Sequence, residues 1–119
     1  VLWPVYVHPE AELELSKIVI RERTALVHAI EKLEQIGPIL GEPHAKHIQM
    51  TDEPLRELRP RQGRCPYRAF FRDFDSASVV AAIGPEADQD RRGFHRAVAA
   101  ALDRLATVEE DQENTGSST

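Results

Sequence analysis

Apolar and polar positions along this chain change their period several times, and each change marks an element. Val5–Val7 predicts a short strand, which Pro4 confines to a sheet edge or a strand start. Pro9 then opens a helical region, with Glu10, Glu12 and Glu14 near the N-terminus where the helix dipole favours negative charge. Leu13, Leu15, Ile18 and Val19 are followed by the polar interruption Arg21–Glu22–Arg23, after which Leu26, Ala29, Ile30 and Leu33 repeat at helical spacing. This predicts one bent helix, or two helices breaking near Ile20–Thr24. Gly37–Pro38 ends it, with glycine at the cap and proline just beyond.

Residues 38–54 hold three prolines and one glycine without a sustained period, so they predict a loop long enough to be functional or mobile. Leu55–Arg59 predicts a short strand closed by Pro60, and residues 60–66 a turn. Tyr67–Arg72 alternates, with Tyr67, Ala69 and Phe71 on one side and Arg68, Phe70 and Arg72 on the other. Asp73–Ser78 predicts a hairpin loop, and Val79–Ile83 is a continuous apolar run suited to a strand covered on both faces. An acidic loop at 84–90 leads to a last helix whose stripe is Phe94, Val98, Ala101, Leu102 and Leu105. The order predicts an α+β domain over residues 1–107: a small, mostly antiparallel sheet with helices on one face. Residues 108–119 are too polar to fold and are expected to form an acidic, disordered tail. If Tyr67, Ala69 and Phe71 pack under the helices, Arg68 and Arg72 emerge on the open face, unless a bulge breaks the alternation.

Length adds one constraint: 119 residues make one domain with a core of its own. A single cysteine, Cys65, removes disulfide frameworks and CxxC zinc sites. No apolar run approaches the roughly 18 residues of a membrane span, and VLWPVYV lacks the features of a secretory signal, so a cytoplasmic protein is expected.

Charge changes the picture more. The formal net charge is −5, and Glu109, Glu110, Asp111 and Glu113 in the tail account for most of it. Residues 55–72, in contrast, carry Arg56, Arg59, Arg61, Arg64, Arg68 and Arg72 against Glu57 alone. Such clustered cations bind anions despite a net negative charge, because fields decay over about 8 Å at physiological salt. Arginine without lysine favours bidentate contacts to phosphate or carboxylate over mere solubility.

The motifs of P-loops, Rossmann sites, zincins and α/β-hydrolases are absent. His44 and His47 lie three apart in a broken loop without a cysteine partner, so no metal and no other cofactor is expected. Arginine and histidine can nonetheless cleave RNA without a metal. The 2′-hydroxyl attacks the adjacent phosphate, guanidinium groups hold the charge that develops, and a histidine with a pKa near about 6.5 moves protons. Arg59 and Arg68 fall on adjacent predicted strands, and His95 opens the last helix. Against this stand simpler roles: a surface His95, and an Arg59 paired with Glu57 or Glu53.

The run GPILGEPHAKHI, then ELRP, a short Arg/Gly turn, YRAFF, VVAAIG and GFHR resembles the RelE/HigB branch of type II toxin–antitoxin toxins (the RelE/ParE superfamily) over about residues 5–107. The resemblance implies the same α+β sheet, cleavage of messenger RNA on the ribosome, growth inhibition, and neutralisation by a cognate antitoxin. It implies that Arg59 and Arg68 face the scissile phosphate and that His95 transfers protons. Lys46, Arg61, Arg64, Arg91 and Arg92 are then expected to hold flanking phosphates. RelE itself carries lysines on the strand where this chain has Leu55 and Glu57, and the 84–90 loop, basic in the family, is acidic here. Fewer cations weaken attraction for RNA.

Two alternatives therefore stand beside an mRNA endoribonuclease: a non-catalytic ParE-like toxin that binds DNA gyrase, and a degenerate toxin that only binds its antitoxin. The expected partner is a HigA-like helix-turn-helix antitoxin that masks the arginines with carboxylates. No membrane partner is expected.

Overall fold

The computed structural model describes the backbone of residues 1–117 and the side chains of residues 1–109. Strand β1 (Val5–Val7) is followed by helices α1 (Pro9–Ser16) and α2 (Ile20–Ile36), then by strands β2 (Ala45–His47) and β3 (Arg56–Leu58). A 3-10 turn at Pro60–Gly63 leads to β4 (Tyr67–Asp73), β5 (Ser78–Pro85) and helix α3 (Arg91–Ser117). The five strands form one sheet in the order β1-β5-β4-β3-β2. Among the described residues the β1–β5 pair is parallel and the other three pairs are antiparallel. The expected α+β class with a mostly antiparallel sheet is what forms, and β1 lies at an edge as Pro4 requires.

Local chemistry fixes the helix ends. Pro9 sits in the first turn of α1, where His8 Nδ1 accepts from the Glu10 amide at 3.1 Å. The break falls at Lys17–Val19 rather than within Ile20–Thr24. Arg23 explains why: from inside α2 its guanidinium donates to the carbonyls of Ser16 and Ile18, at 3.1 and 3.0 Å, and clamps the corner. The polar triplet thus belongs to the helix it was expected to interrupt. Gly37 ends α2 with φ 84°, a conformation that favours glycine, and its amide reaches Leu33 O at 2.7 Å.

The alternation in β4 sorts its side chains as predicted, but both faces are covered. Ala69 and Phe71 join Leu26, Leu33, Leu58 and Val80 in a core beneath α1 and α2. Phe70 joins Ala82, Val98, Ala101 and Leu105 in a second core beneath α3, its ring edge-on to Phe94 with centroids 5.4 Å apart. The helices therefore do not gather on one face. A bulge does exist, and it lies in β5: the register passes from Phe70↔Ala82 to Phe71↔Val80, so Ala81 and Ala82 both face α3. The alternation in β4 itself is undisturbed. At Gly84 a Cβ atom would lie 2.4 Å from that of Ala97, so glycine lets α3 settle onto β5.

Two further expectations change. The segment 38–54 is not all loop, because Ala45–His47 pairs with β3. Helix α3 continues past residue 107, so Val108 and Glu109 extend it rather than opening an unfolded tail. Residues 118 and 119 of that expected tail lie outside the described residues. Among the described residues no helix is long and apolar enough to cross a membrane.

Candidate functional site

A groove of about 360 Å³ opens where the ends of β2, β3 and β4 meet the first turn of α3. Lys46 of β2 and Glu57 of β3 are register partners across the ladder and both line it. Arg59 follows β3, held by its amide to His44 O at 2.8 Å. Arg68 enters from the start of β4, Glu86–Asp88 form a rim, and Arg91, Phe94 and His95 come from α3.

Arg68 is only 3% exposed, and its bonds are specific. Nη1 donates to the carbonyls of Cys65 at 2.7 Å and Tyr67 at 3.0 Å, and Nη2 to Gly63 O at 3.3 Å. Among the described residues its buried Nε finds no hydrogen-bond partner, and neither does the Nε of Arg59. A single carboxylate oxygen, Glu57 Oε1, lies 3.8 Å from both of these atoms. That is close enough for Coulomb attraction and too far for a hydrogen bond. Glu86 Oε2 stands 3.9 Å from Arg68 Nη2. Burial pushes the Glu57 carboxyl above its ordinary range, a rise only partly offset by Arg68, Arg59 and Lys46. Burial likewise lowers the Arg68 guanidinium, with Glu57 acting in the opposite sense.

The connection that presents these groups is strained. Arg61 and Gln62 have φ of 53° and 58°, and Gly63 follows at 97°. Left-handed geometry costs about 1–2 kcal/mol at each non-glycine residue. Contacts from α2 oppose that cost: Arg61 Nη1 donates to Glu22 Oε2 at 3.1 Å, and Cys65 Sγ donates to the same oxygen at 3.0 Å. Burial and the neighbouring Glu22 push the Cys65 thiol up to about 11, so it is a structural donor and not a reactive thiolate.

Of the eight expected site residues, Lys46, Arg59, Arg68, Arg91 and His95 line one groove. The other three do not. Arg61 turns back to Glu22, Arg64 is exposed with its Nε on Arg61 O, and Arg92 is an exposed residue of α3. Arg72, expected on an open face, is 4% exposed and bonds Pro54 O and Glu109 beneath the other end of α3. The residue that sequence reasoning passed over is Glu57, which had read as a departure from a familiar pattern. Its only sequence signal was being the single acid among six arginines. Among the described residues no group of three or more His, Cys, Asp or Glu comes together to hold a metal.

The groove combines an elevated carboxylate, two guanidinium groups with unused donors, a lysine and an exposed histidine. Such a set can grip an anion, accept a proton and return one. Residues 14–84 match a family described as phage-derived protein Gp49-like (DUF891), a span that holds Lys46, Glu57, Arg59 and Arg68 but not His95. No curated protein matches the chain. Among solved structures, a mutant of the E. coli toxin RelE in the free state superposes with a TM-score of 0.62 at 14% identity, covering 88% of this chain and 99% of that one. That likeness is one of fold.

Proposed function

This chain belongs to the phage-derived Gp49-like family and carries the RelE toxin fold, and we propose that it is the toxin of a type II toxin–antitoxin system that cleaves messenger RNA on the ribosome. The observation that carries this reading is the pair of unpartnered, buried Nε atoms of Arg59 and Arg68, both directed at one carboxylate. Buried donors without acceptors are costly, and the cost is offset when an anionic ligand supplies oxygens.

In the proposed step, Glu57 accepts the proton of the 2′-hydroxyl as that oxygen attacks the adjacent phosphorus. Arg59 and Arg68 donate to the non-bridging oxygens as their charge grows. The bond to the 5′-oxygen breaks, and His95 protonates the leaving oxygen. The products are a 2′,3′-cyclic phosphate and a 5′-hydroxyl, and the balance requires no metal. A carboxyl raised above its ordinary value by burial suits a base better than an unperturbed one, because the optimum lies near the working pH. Lys46 and Arg91 hold flanking phosphates in this reading, whereas Arg64 and Arg92 act only on more distant ones. A ribosomal substrate makes the action cytoplasmic, and a HigA-like helix-turn-helix antitoxin is the proposed neutralising partner.

A non-catalytic toxin acting on DNA gyrase is the second reading. It is favoured by Glu57 and Glu86, which put internal anions within 4 Å of Arg68. Induction of the chain alone is expected to arrest growth, and Arg68→Ala to restore it. Arrest that persists in Arg68→Ala contradicts the nuclease reading, and arrest accompanied by DNA damage supports the second.

A further inference from the structure

A second groove, of about 250 Å³, lies on the other side of Arg59, between α2 and the turn after β3. Its walls carry Lys and Arg cations and two imidazoles. Arg21, His28 and Lys32 recur at helical spacing along one face of α2, and His44, Arg59 and Arg61 stand opposite. Its floor is aliphatic, made by Ala25 and Ala29 of α2 with the buried Leu40 and Leu58. Among the described residues no Asp or Glu lines it, although the chain holds 20 acids against 15 lysines and arginines. Two carboxylates stand behind lining residues: Glu22, bonded by Arg61 and Cys65, and Glu57, 3.8 Å from Arg59 Nε.

We propose that this groove docks an acidic, amphipathic segment of a partner protein, and that the segment competes with the neighbouring groove for Arg59. Charge complementarity selects the acidic face, and the aliphatic floor selects leucine-like side chains on the other. A single-stranded nucleic acid fits less well, since its bases stack best on large aromatic platforms and, among the described residues, no Phe, Tyr or Trp lines this groove. Arg59 is the link between the two sites because it lines both. Its guanidinium borders both grooves, so a carboxylate arriving in one and an anion in the other draw on the same charge. Whatever factor the peptide takes from anion affinity in the first groove, an anion there must take from peptide affinity. Only the identification of the partner as a neutralising antitoxin rests on the toxin reading; the docking itself does not.

The test uses the full chain and a fluorescein-labelled helical peptide of Glu, Leu and Ala with its leucines on one face. Anisotropy is expected to report binding that weakens about tenfold or more in the R21E/K32E variant, which changes two exposed side chains, and that K46E leaves intact. On the unmodified chain, the methyl resonances of Ala25, Ala29 and Leu40 are expected to shift on peptide addition. The proposal is overturned by absence of peptide binding, or by binding lost in K46E but kept in R21E/K32E. It is also overturned if a single-stranded oligonucleotide, rather than the peptide, loses affinity in R21E/K32E. A chain that binds peptide yet cleaves no RNA removes the nuclease reading and leaves the docking site standing.

Discussion

Arg56 and Arg68 lie on neighbouring strands and are 8% and 3% exposed, yet they live in opposite chemical conditions. Arg56 has a partner for each nitrogen. Nε donates to Asp73 at 3.1 Å, Nη1 to Leu40 O at 2.5 Å, and Nη2 to Pro38 O at 3.0 Å, while the guanidinium lies 4.8 Å from the centre of the Phe71 ring. Asp73 is fixed in turn by Ser78 Oγ at 2.5 Å, which accepts from Trp3 Nε1 at 2.8 Å. Arg68 donates to three carbonyls and leaves Nε idle between carboxylates that stand too far away to bond. One arginine closes a network that pins the 38–40 segment to the sheet. The other is held rigid from one side and left open on the side that faces a groove. Burial alone does not distinguish the two, and neither does an idle donor by itself: among the described residues Arg72 also has a buried Nη2 without a partner, but it lines neither groove, whereas Arg68 lines one.

The comparison breaks most visibly at Arg56. Arg56→Ala leaves the Leu40 and Pro38 carbonyls without this donor and Asp73 with Ser78 but no cation, and is expected to cost about 3 kcal/mol of stability in urea unfolding. Activity per folded molecule is expected to stay unchanged. Arg68→Ala is expected to show the reverse emphasis: cleavage falls about 10²–10³-fold, the effect of removing one donor to a developing oxyanion, with a smaller loss of stability. Equal stability losses with equal activities in the two variants would erase the distinction.

Glu57 sharpens it. Glu57→Gln keeps the shape of the groove and removes the proposed base, and is expected to slow cleavage about 100-fold. Because burial raises this carboxyl, the wild-type rate is expected to climb with pH through a value above the ordinary 4.5, and the Gln variant to lose that limb. A pH–rate profile of both proteins checks it.

A third arginine supplies the smallest effect. Arg104 donates to both oxygens of Glu14, at 3.0 and 2.9 Å, and to Ala81 O at 2.8 Å, tying α3 to α1 across the sheet edge. Burial alone would raise Glu14, but Arg104 and the Ile83 amide outweigh it and the carboxyl is lowered. The stabilisation is therefore fully present above pH 4.5 and fades as pH falls through the lowered value. Glu14→Gln is expected to cost about 1 kcal/mol near neutrality, a figure discounted because the side chain is about one-third exposed. Urea unfolding followed against pH should show the gap between the two proteins closing in acid.

Much of the fold was legible because it rests on period. Pro4 put β1 at an edge, Gly37 closed α2, and the strict alternation of Tyr67–Arg72 sorted Phe70 from Phe71 despite the bulge in the neighbouring strand. Alternation assigns faces without saying what covers them, and so α3 over Phe70 went unread. The continuous run Val79–Ile83 already demanded cover on both faces. Strand β2 escaped because three residues are too few for a period, and their pairing is made by the backbone of β3. For the candidate site, arginine density pointed to a segment from which Arg59 and Arg68 line the groove, but Arg59, Arg61 and Arg64 diverge through a left-handed turn that sequence spacing does not encode. Glu57 acquires its place only from the ladder register with Lys46 and from two guanidinium groups that approach it across strands.

Mapping messenger-RNA 5′ ends after induction of the wild-type chain and of Arg68→Ala, side by side, tests the open-sided arginine most directly. The account predicts new, codon-phased ends with 5′-hydroxyl groups in the first and none in the second. Growth arrest by the wild type without new ends, or the same ends in both, would contradict it.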